Sequence, residues 1–540
     1  MEYNLADLWE AVADAVPGHE ALICGDRRLS YADTEARANR LANHLAARGI
    51  GAGDHVALLL YNGTEYLEGM LAACKLRAVP INVNYRYVED ELRYLLDDCD
   101  ARAIVFHREF APKLATIGAD LPLLEIFVSV DDGSAGDLTG LDTVDYELAL
   151  ASASPERDFA PRSGDDLYIL YTGGTTGNPK GVMWRAEDIF FGGLGGGNLG
   201  DAPIARPEEI LHKLDGHRRT LPACPLMHGT AHWFALGTLY AGGAVVLSPD
   251  RRFDPVRLWQ LVAREHVTFL VIVGDAFARP LVEALDVLDP DLDLSSLTVV
   301  LSGGAILSPA VKERWVDRLP STILIDGFGS SESGGQGSSV TAAGGPIERA
   351  PRFRVDDETT VLDDALRPAA TGVVGKLARR GHVPIGYYKD AAKTAATFPV
   401  VDGVRWSVPG DHARVEDDGT ITVLGRGSVS INTGGEKVYP EEVEGVVKSH
   451  PSVFDAVVVG VPDERWGERV VAVVQPRPGT TITADELHEH VRGHLAGYKA
   501  PRDVVLVDSV VRSPSGKPDY RWARATAERA DGGVTPSAPR

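Results

Sequence analysis

The sequence predicts an α/β protein with a large N-terminal domain and a small C-terminal α+β lid. The large domain is expected to contain mostly parallel sheets covered by helices, plus a β-rich subdomain. Three observations predict this fold. Helical and strand patterns alternate over residues 31–106, short β-prone segments separated by Gly and Pro occupy residues 372–423, and a compact α+β pattern follows a turn at residues 425–428. The 540 residues exceed one hydrophobic core, which also favours at least two domains.

The first elements follow one another in a regular order. Residues 31–48 carry apolar side chains at helical spacing before Gly49, and residues 64–75 and 88–96 predict two more helices. Apolar runs at residues 55–60, 79–83 and 103–106 predict the strands between them. Because helices and strands alternate, we expect a mostly parallel sheet covered on both faces. A polar stretch at residues 131–162 then leads to a glycine-rich turn.

Beyond that turn, a second α/β layer is predicted. Its strands are residues 240–247, 267–273, 297–301 and 322–325, with a helix at residues 255–265. Residues 191–198 are too rich in glycine for a regular element, and residues 201–219 read as a surface excursion. In the lid, residues 440–447, 456–461 and 470–475 form the α+β pattern. The predicted domains are residues 1–426, a mobile lid at 427–525 and a disordered tail at 526–540.

Composition limits the classes of function. A hydrophobic content of 44% and a mean hydropathy of −0.08 are typical of a globular protein in water, and no apolar run approaches bilayer length. The acidic N-terminus lacks the basic start of a signal peptide, so we expect a cytoplasmic protein without a membrane span. A net charge of −23 disfavours nucleic acid as a partner. The four scattered cysteines favour neither a disulfide framework nor a structural zinc site.

The glycine-rich turn predicts a phosphate site. An apolar run, residues 168–171, ends in Thr172-Gly-Gly-Thr-Thr-Gly177, where glycines leave backbone amides uncovered and threonines add hydroxyl donors. Lys180 adds a positive charge, so ATP is the expected ligand. The turn differs from a P-loop, which requires Gly-Lys-Ser/Thr, because Pro179 precedes the lysine and Gly181 follows it.

Two further segments could complete a nucleotide site. Residues 326–332 are expected to form a turn after a strand, in which Phe328 lines a base and Glu332 holds Mg²⁺, a cation that prefers few carboxylates together with phosphate oxygens. Asp411 and Arg426 offer an acceptor and a donor for ribose hydroxyls. Taken alone, His228 is more often a packed or capping histidine, and Lys517 a solvated lysine.

Occurring together in this order, these segments resemble the adenylate-forming superfamily of acyl-CoA synthetases, peptide-synthetase adenylation domains and luciferases. The resemblance extends from Leu5 to Trp522. It implies ATP, Mg²⁺ and coenzyme A as cofactors and a small-molecule carboxylate as substrate. In that chemistry, the carboxylate attacks the α-phosphate of ATP, pyrophosphate leaves, and a thiol then displaces AMP from the acyl-adenylate. The oligomeric state stays open between a monomer and a homodimer.

The resemblance also assigns roles to individual residues. The ATP-binding residues are Thr172, Gly173, Gly174, Thr175, Thr176, Gly177, Lys180, Ser302, Gly303, Gly304, Ala305, Asp326, Gly327, Phe328, Gly329, Ser331, Asp411 and Arg426. The acyl-binding residues are His228, Trp233, Gly274, Gly303, Gly304 and Gly329. Glu332 is the metal ligand, Ser428 the hinge and Gly435 the residue beside the incoming thiol. Lys517, Glu332, His228 and Thr175 are the expected catalytic residues, with Lys517 acting on the α-phosphate during adenylation.

A closer resemblance is to actinobacterial synthetases that activate sterol side-chain or long-chain acids. It rests on residues 171–177, 181–185, 328–332, 384–389, 425–432, 434–440 and 513–522. Two residues depart from the usual pattern. Ser331 stands where a threonine usually precedes the glutamate, and Ser428 stands in place of the usual hinge residue. The implied function is an AMP-forming acid:CoA ligase for a bulky hydrophobic acid. The alternatives are an adenylating enzyme that loads a carrier protein, activation of an unusual acid such as nitrite for transfer to an amine, and a nucleotide sensor. The presence of Lys517, Glu332 and Asp411 argues against the sensor.

Overall fold

The computed structural model describes residues 1–173, 178–197, 202–347, 352–433, 436–463, 465–513 and 516–531. Within them, the predicted α/β fold class is confirmed: a large sheet-containing body precedes a small α+β domain. None of the helices in these ranges is both long enough and apolar enough to cross a bilayer. Thr175 and Gly435 lie outside the described residues, together with Gly174, Thr176 and Gly177.

The described residues form twelve α-helices before residue 427 and three after it. They are α1 Leu5–Ala15, α2 Tyr31–Ala46, α3 Thr64–Lys75, α4 Glu89–Asp98, α5 Ala111–Ile117, α6 Tyr146–Ala151, α7 Ala186–Gly192, α8 Gly229–Tyr240, α9 Pro255–Arg264, α10 Gly274–Ala284, α11 Pro309–Arg318, α12 Ala391–Thr397, α13 Pro440–Lys448, α14 Ala484–Arg492 and α15 Tyr520–Asp531. The structure therefore places residues 526–531 in a helix and not in a disordered tail.

The strands before residue 427 are β1 Glu20–Cys24, β2 Arg27–Ser30, β3 His55–Leu59, β4 Val79–Asn82, β5 Ala101–His107, β6 Ile126–Val130, β7 Thr143–Asp145, β8 Leu167–Thr172, β9 Lys180–Arg185, β10 Arg219–Pro222, β11 Ala244–Leu247, β12 Phe269–Ile272, β13 Val299–Gly303, β14 Ile323–Ser330, β15 Gly334–Thr341, β16 Arg352–Val355, β17 Thr359–Leu362, β18 Val374–Arg379, β19 Gly386–Tyr387, β20 Val400–Val401, β21 Val404–Arg405, β22 Asp411–Val415 and β23 Ile421–Arg426. The later strands are β24 Ile431–Thr433, β25 Glu436–Val438, β26 Val453–Asp463, β27 Gly467–Pro476 and β28 Asp503–Leu506.

Two large sheets form the N-terminal body. One has the order β19-β9-β8-β4-β3-β5-β6-β7, and its strands from β8 to β7 run parallel. The other has the order β17-β18-β22-β23-β16-β15-β14-β13-β12-β10-β11-β1-β2. In this sheet β13 and β14 pair in parallel, whereas β14 and β15 pair antiparallel. The β-rich subdomain predicted at residues 372–423 is therefore a continuation of this sheet, and its antiparallel strands begin well before residue 372. In the lid, β24–β28 form one sheet with its own apolar core.

Two segments differ from the predicted secondary structure. Residues 240–243 were expected to begin a strand, but Tyr240 ends helix α8 and the strand begins at Ala244. The strand expected to end at residue 325 continues to Ser330 as β14, because residues 324–330 pair with β15. Asp326, Phe328 and Gly329 therefore belong to a strand and not to a turn.

A buried charge cluster, the Lys75 cluster, joins α1, α2 and α3. The Nζ of Lys75 lies 2.6 Å from Glu10 Oε1 and 2.8 Å from Glu35 Oε1, and none of its side chain is exposed. Arg157 approaches Glu35 at 2.5 Å and Arg162 also binds Glu10, so the two carboxylates are shared between three cations. The cluster ties the N-terminal helices to the chain segment that leads into β8.

The lid packs on the N-terminal body through polar and aromatic contacts. Arg477 of the lid lies 2.7 Å from Glu283 at the end of α10, and the guanidinium of Arg279 lies over the ring of Phe454 at 5.8 Å. A cavity of about 290 Å³ separates α10 from the lid beside Gly516. The link between the two bodies contains a short 3₁₀ turn, Gly427–Val429, at the position where Ser428 is predicted to act as the hinge.

A carboxyl group is buried where the lid joins the N-terminal body. Glu441, in the first turn of α13, packs against Gly425, and its buried Oε2 accepts no hydrogen bond from any residue that the structure describes. Burial, followed by the charges of Glu444 and Asp411, raises the pKa of Glu441 from 4.5 to about 8. The protonated carboxyl is therefore the form that fits this junction.

We expect Lys75→Ala to destabilise the protein by about 3–5 kcal/mol, because it removes the buried cation that Glu10 and Glu35 share and leaves each carboxylate with a single arginine. Urea unfolding followed by tryptophan fluorescence measures the loss. Arg93→Ala is the control, since Arg93 pairs with Asp90 and Asp120 at the surface and should change stability little. Equal stability of Lys75→Ala and Arg93→Ala would contradict the assigned role of the cluster.

The second prediction concerns pH. Because the pKa of Glu441 is higher in the folded state, the folded state holds the extra proton between about pH 4.5 and pH 8, and stability falls over that window as pH rises. Glu441→Gln cannot ionise, so its stability relative to the wild type should rise with pH by at most about 1.4 kcal/mol per unit. Urea unfolding across this range measures the difference.

The matched control is Glu442→Gln, one residue further along α13. The Glu442 carboxylate binds Lys499 at 2.7 Å, so the variant should show no advantage that grows with pH. If the difference in unfolding free energy between Glu441→Gln and the wild type stayed constant with pH, the assignment of a buried, protonated Glu441 would be refuted.

Candidate active site

The predicted phosphate loop connects the two strands of a hairpin. Strands β8 and β9 are antiparallel, and Thr172 lies opposite Lys180 in their register. The end of β8 is fixed by the buried Asn82, whose Nδ2 donates to the carbonyls of Tyr171 at 2.8 Å and Met227 at 2.7 Å. Thr172, Gly173 and Lys180 are thus placed at one mouth of the hairpin, and the tip of the loop lies outside the described residues.

Lys180 has a partner that sequence reasoning missed. Its Nζ forms an ion pair with Asp390, just after β19, the strand that pairs with β9. The hydrogen bond from Lys180 is the main cause that lowers the pKa of Asp390. The pair is partly exposed, so the lysine could exchange this carboxylate for a phosphate group at little cost.

The expected adenine-binding residues lie at the carboxyl ends of β13 and β14. Ser302 is buried, and its Oγ accepts a hydrogen bond from the Gly274 amide at 2.9 Å. Gly303 pairs with Gly327 across these two parallel strands, and Ala305 follows them. Such ends are where open parallel sheets bind ligands.

Asp326 and Phe328, by contrast, have partners within the protein. The Asp326 carboxylate is buried and bonded to Lys312 at 2.8 Å, while the ring of Phe328 packs against Phe353 at 5.4 Å. Burial raises the pKa of Asp326, with Lys312 acting in the opposite direction. The Asp326 side chain therefore stabilises α11 against β14, and its contribution to nucleotide binding stays a prediction.

Three side chains hold the turn at Ser331 and Glu332. Tyr387 donates to Glu332 Oε1 at 3.0 Å, Ser407 donates to the Glu332 carbonyl at 2.5 Å, and the Trp184 indole donates to the Ser331 carbonyl at 3.1 Å. They come from three separate parts of the chain, which is why no local motif indicated them. Their contacts place the Glu332 carboxylate at the cleft.

Asp411 and Arg426 face each other at the end of the antiparallel pair β22–β23. Arg426 Nε lies 3.6 Å from Asp411 Oδ1. Burial raises the pKa of Asp411, an effect that Arg426 opposes. Burial acts to lower the pKa of Arg426, but Asp411 and Glu332 outweigh it and the net shift is upward. This pair offers the hydroxyl acceptor and donor that the sequence predicted for a ribose.

Lys517 of the lid reaches the same cleft. A β-carbon built on Gly304 would lie 3.9 Å from the Cε of Lys517, so the lysine faces the end of β13. Its loop is anchored by Arg512, which donates to the Gly516 carbonyl at 2.9 Å and grips Asp455 with two hydrogen bonds. Lys517 as a whole residue is exposed. Loss of water around its ammonium group, followed by the charge of Arg426, lowers the pKa of Lys517, while Glu332 and Asp411 act against that shift.

His228 caps helix α8 beside this cleft. Its Nε2 is buried and has no hydrogen-bond partner among the described residues, and burial, followed by the charge of Lys517, lowers the pKa of the ring to about 3. The ring is therefore neutral near pH 7 and presents an unused polar atom. Trp233, one turn further, donates its indole N–H to the Tyr168 hydroxyl at 2.9 Å and packs beside Trp184.

The predicted acyl-site glycines fall into two groups. A β-carbon at Gly303 or Gly304 would make ordinary van der Waals contacts, the nearest at 3.5 Å, including contacts with Thr230, a residue that the sequence did not single out. A β-carbon at Gly274 or Gly329 would instead collide with the backbone of Ile306 or Gly334. The last two glycines thus permit close backbone contacts, and only the first two leave room at the cleft.

The donors at the cleft fit Mg²⁺ bound together with nucleotide phosphates. Glu332 Oε2 accepts no hydrogen bond from the part of the chain that the structure describes, and in that part no group of three His, Cys, Asp or Glu residues is arranged to hold a metal. A single carboxylate with phosphate oxygens suits Mg²⁺ better than a cage built only from protein ligands.

Known proteins with similar sequences and structures identify the family. Residues 9–388 match the AMP-binding enzyme family, and residues 442–517 match the AMP-binding enzyme C-terminal domain. The chain is 48% identical to the 3-oxocholest-4-en-26-oate--CoA ligase of Rhodococcus rhodochrous, over 97% of this chain and 96% of the relative. Identity and coverage are the same for the medium/long-chain-fatty-acid--CoA/3-oxocholest-4-en-26-oate--CoA ligase of Mycobacterium tuberculosis.

A solved structure agrees with this match. The anthranilate CoA ligase AuaEII in complex with anthranoyl-AMP superposes with a TM-score of 0.85 at 25% identity, over 98% of both chains. The family models cover most of the N-terminal body and of the lid, the two parts that together supply the Glu332, Asp411–Arg426 and Lys517 groups. The chain belongs to the AMP-binding enzyme family of adenylate-forming enzymes.

Proposed function

We propose that the protein is an AMP-forming acid:CoA ligase, which converts a carboxylic acid to an acyl-adenylate with ATP and transfers the acyl group to coenzyme A. The observation that carries the proposal is the meeting of Lys517, from the lid, with Glu332 and the Asp411–Arg426 pair in one cleft. The names of relatives 48% identical over nearly the whole chain support it. We place the reaction in the cytoplasm, carried out by a monomer or a homodimer.

In the first half-reaction, the cleft assembles acid and nucleotide. Asp411 and Arg426 bind the ribose, Thr172 to Lys180 the phosphates, and Ser302 to Ala305 with Gly327 and Phe328 the adenine. Mg²⁺, held by Glu332, would neutralise part of the triphosphate charge. The acid's carboxylate attacks the α-phosphate, the bond between the α- and β-phosphates breaks and pyrophosphate leaves, while Lys517 stabilises the negative charge that develops at the α-phosphate. Neutral His228 can donate or accept a hydrogen bond at the acyl site without adding charge.

In the second half-reaction, a thiol replaces AMP. Lys517 belongs to the lid, so rotation about Gly427–Val429, with Ser428 as the hinge, would withdraw it from the cleft. Gly435, on the same lid, would then line the path of the coenzyme A thiol. Each lid orientation would serve one half-reaction.

The proposed substrate is a bulky hydrophobic acid, either a sterol side-chain acid or a long-chain fatty acid. Two observations support it: the relatives' names refer to these acids, and glycine at positions 303 and 304 keeps side-chain atoms out of the space next to Thr230. Each additional buried CH₂ contributes about 0.8 kcal/mol, so a wide apolar site favours such acids over acetate.

The direct test supplies a panel of acids with ATP and Mg²⁺, each with and without coenzyme A. We expect AMP and pyrophosphate as nucleotide products, a thioester by mass spectrometry, and a higher kcat/KM for sterol side-chain or long-chain acids than for acetate. Formation of ADP would contradict the adenylating mechanism. Product only with an amine or a carrier protein would support the alternative acceptors, and a preference for acetate would refute the proposed substrate.

Lys517→Ala should separate the half-reactions. Loss of one charged contact at the α-phosphate is expected to slow ATP–pyrophosphate exchange by about a hundredfold or more. The same variant, given preformed acyl-adenylate and coenzyme A, should form thioester at nearly the wild-type rate. Arg524→Ala, a surface change on the lid, is the control. Equal losses in both half-reactions of Lys517→Ala would mean that the lid does not alternate as proposed.

A further inference from the structure

The Glu332 carboxylate lies in a crowded electrostatic environment. Arg426 and Lys517 are both close enough to interact with it, and Asp411 adds a second negative charge. An unrestrained carboxylate would turn toward one of these cations, because an ion pair in an enclosed cleft is stronger than one in water. Such a turn would occupy Lys517 and remove the carboxylate from a metal.

Tyr387 prevents this turn by its position. Its hydroxyl donates to Glu332 Oε1 at 3.0 Å, and its ring is buried against Phe398 at 5.6 Å between centroids. A phenol is protonated near pH 7, so the hydroxyl holds the proton that it donates. Since a phenol has one proton, it fixes Oε1 and leaves Oε2 free.

The backbone of Tyr387 is held equally firmly. Tyr387 pairs with Val182 of β9, the strand that follows the phosphate loop, and its amide donates to Thr394 Oγ1 at 2.8 Å. The phenol thus links the strand carrying Lys180 to the carboxylate of Glu332. A displacement of this strand would therefore move the Glu332 carboxylate, and the reverse, through a single hydrogen bond.

We propose that Tyr387 is a positioning residue for the magnesium ion of the adenylation step. Its hydrogen bond holds Glu332 Oε1, so that the carboxylate binds the metal instead of pairing with Arg426 or Lys517, and Lys517 stays available to the α-phosphate. This inference rests on the proposed function. It makes metal binding depend on Tyr387, which lies 55 positions away from the metal ligand Glu332 in the chain.

The neighbouring residue provides a matched control. Tyr388 also donates its hydroxyl to a carboxylate, Asp100 Oδ2 at 2.8 Å, but Asp100 lies at the start of β5, away from the cleft charges. Tyr387→Phe and Tyr388→Phe therefore remove the same chemical group and the same type of bond from adjacent residues. Only the first should alter the metal site.

The test measures metal dependence in two ways. The Mg²⁺ concentration that gives half-maximal ATP–pyrophosphate exchange should rise about 10- to 100-fold in Tyr387→Phe, as is usual when a hydrogen bond to a metal ligand is lost. Mn²⁺ binding, followed by electron paramagnetic resonance with ATP but without acid, should weaken by the same factor. Tyr388→Phe should match the wild type in both. Thioester formation from preformed acyl-adenylate should not change in either variant.

A double-mutant cycle with Glu332→Gln tests whether Tyr387 acts through Glu332. The two changes together should raise the Mg²⁺ requirement no further than Glu332→Gln alone, whereas additive effects would refute the proposal. Unchanged Mg²⁺ and Mn²⁺ affinities in Tyr387→Phe would overturn it as well, while activity of the wild-type enzyme would leave the proposed function standing.

If Tyr387→Phe does not fold, as judged by thermal unfolding, 4-aminophenylalanine at position 387 takes its place. This residue keeps a donor at the same point of the ring. The proposal expects its Mg²⁺ requirement to stay within a few-fold of the wild type, and a rise of tenfold or more would overturn it.

Discussion

The Asp411–Arg426 pair is the interaction on which the arrangement of the cleft depends. Asp411 begins β22, and Arg426 ends the neighbouring strand β23, directly before the turn that leads to the lid. With Glu332 and Lys517 they form a group of two negative and two positive charges. The cleft is therefore nearly neutral before any ligand enters, although the whole chain carries a net charge of −23. This local balance allows a polyanion to approach a protein whose mean field repels it.

Much of the fold could be predicted because its signals are local. The alternating helical and strand patterns over residues 31–106 match helices α2 to α4 and strands β3 to β5 within a few residues. The signals failed where pairing partners decided the outcome. β14 extends to Ser330 because β15 pairs with it, and Tyr240 stays helical because α8 is buried on nearly all sides. Neither cause is visible within a short window of sequence.

The site shows the same division between local and distant information. Motifs indicated Glu332, Asp411, Arg426 and Lys517, because their residue types suit nucleotide chemistry. Tyr387, Asp390 and Thr230 were missed, since each acts through a contact with a residue far away in the chain. The four acyl-site glycines looked equivalent in sequence, yet backbone proximity at Gly274 and Gly329 gives them a different structural role from Gly303 and Gly304.

The anchoring of the Lys517 loop has a consequence for how the enzyme could be tuned. Arg512 binds the loop to Asp455 in the lid core, so Lys517 moves as part of a rigid body and its approach to the cleft is set by where the lid rests. The lid's resting position depends in turn on surface contacts such as Glu283–Arg477, which touch no reacting group. The residues that set the resting position of the lid are thus different from the residues that contact the reacting groups. Substitutions along this interface could redistribute time between the two half-reactions while the reacting groups stay the same.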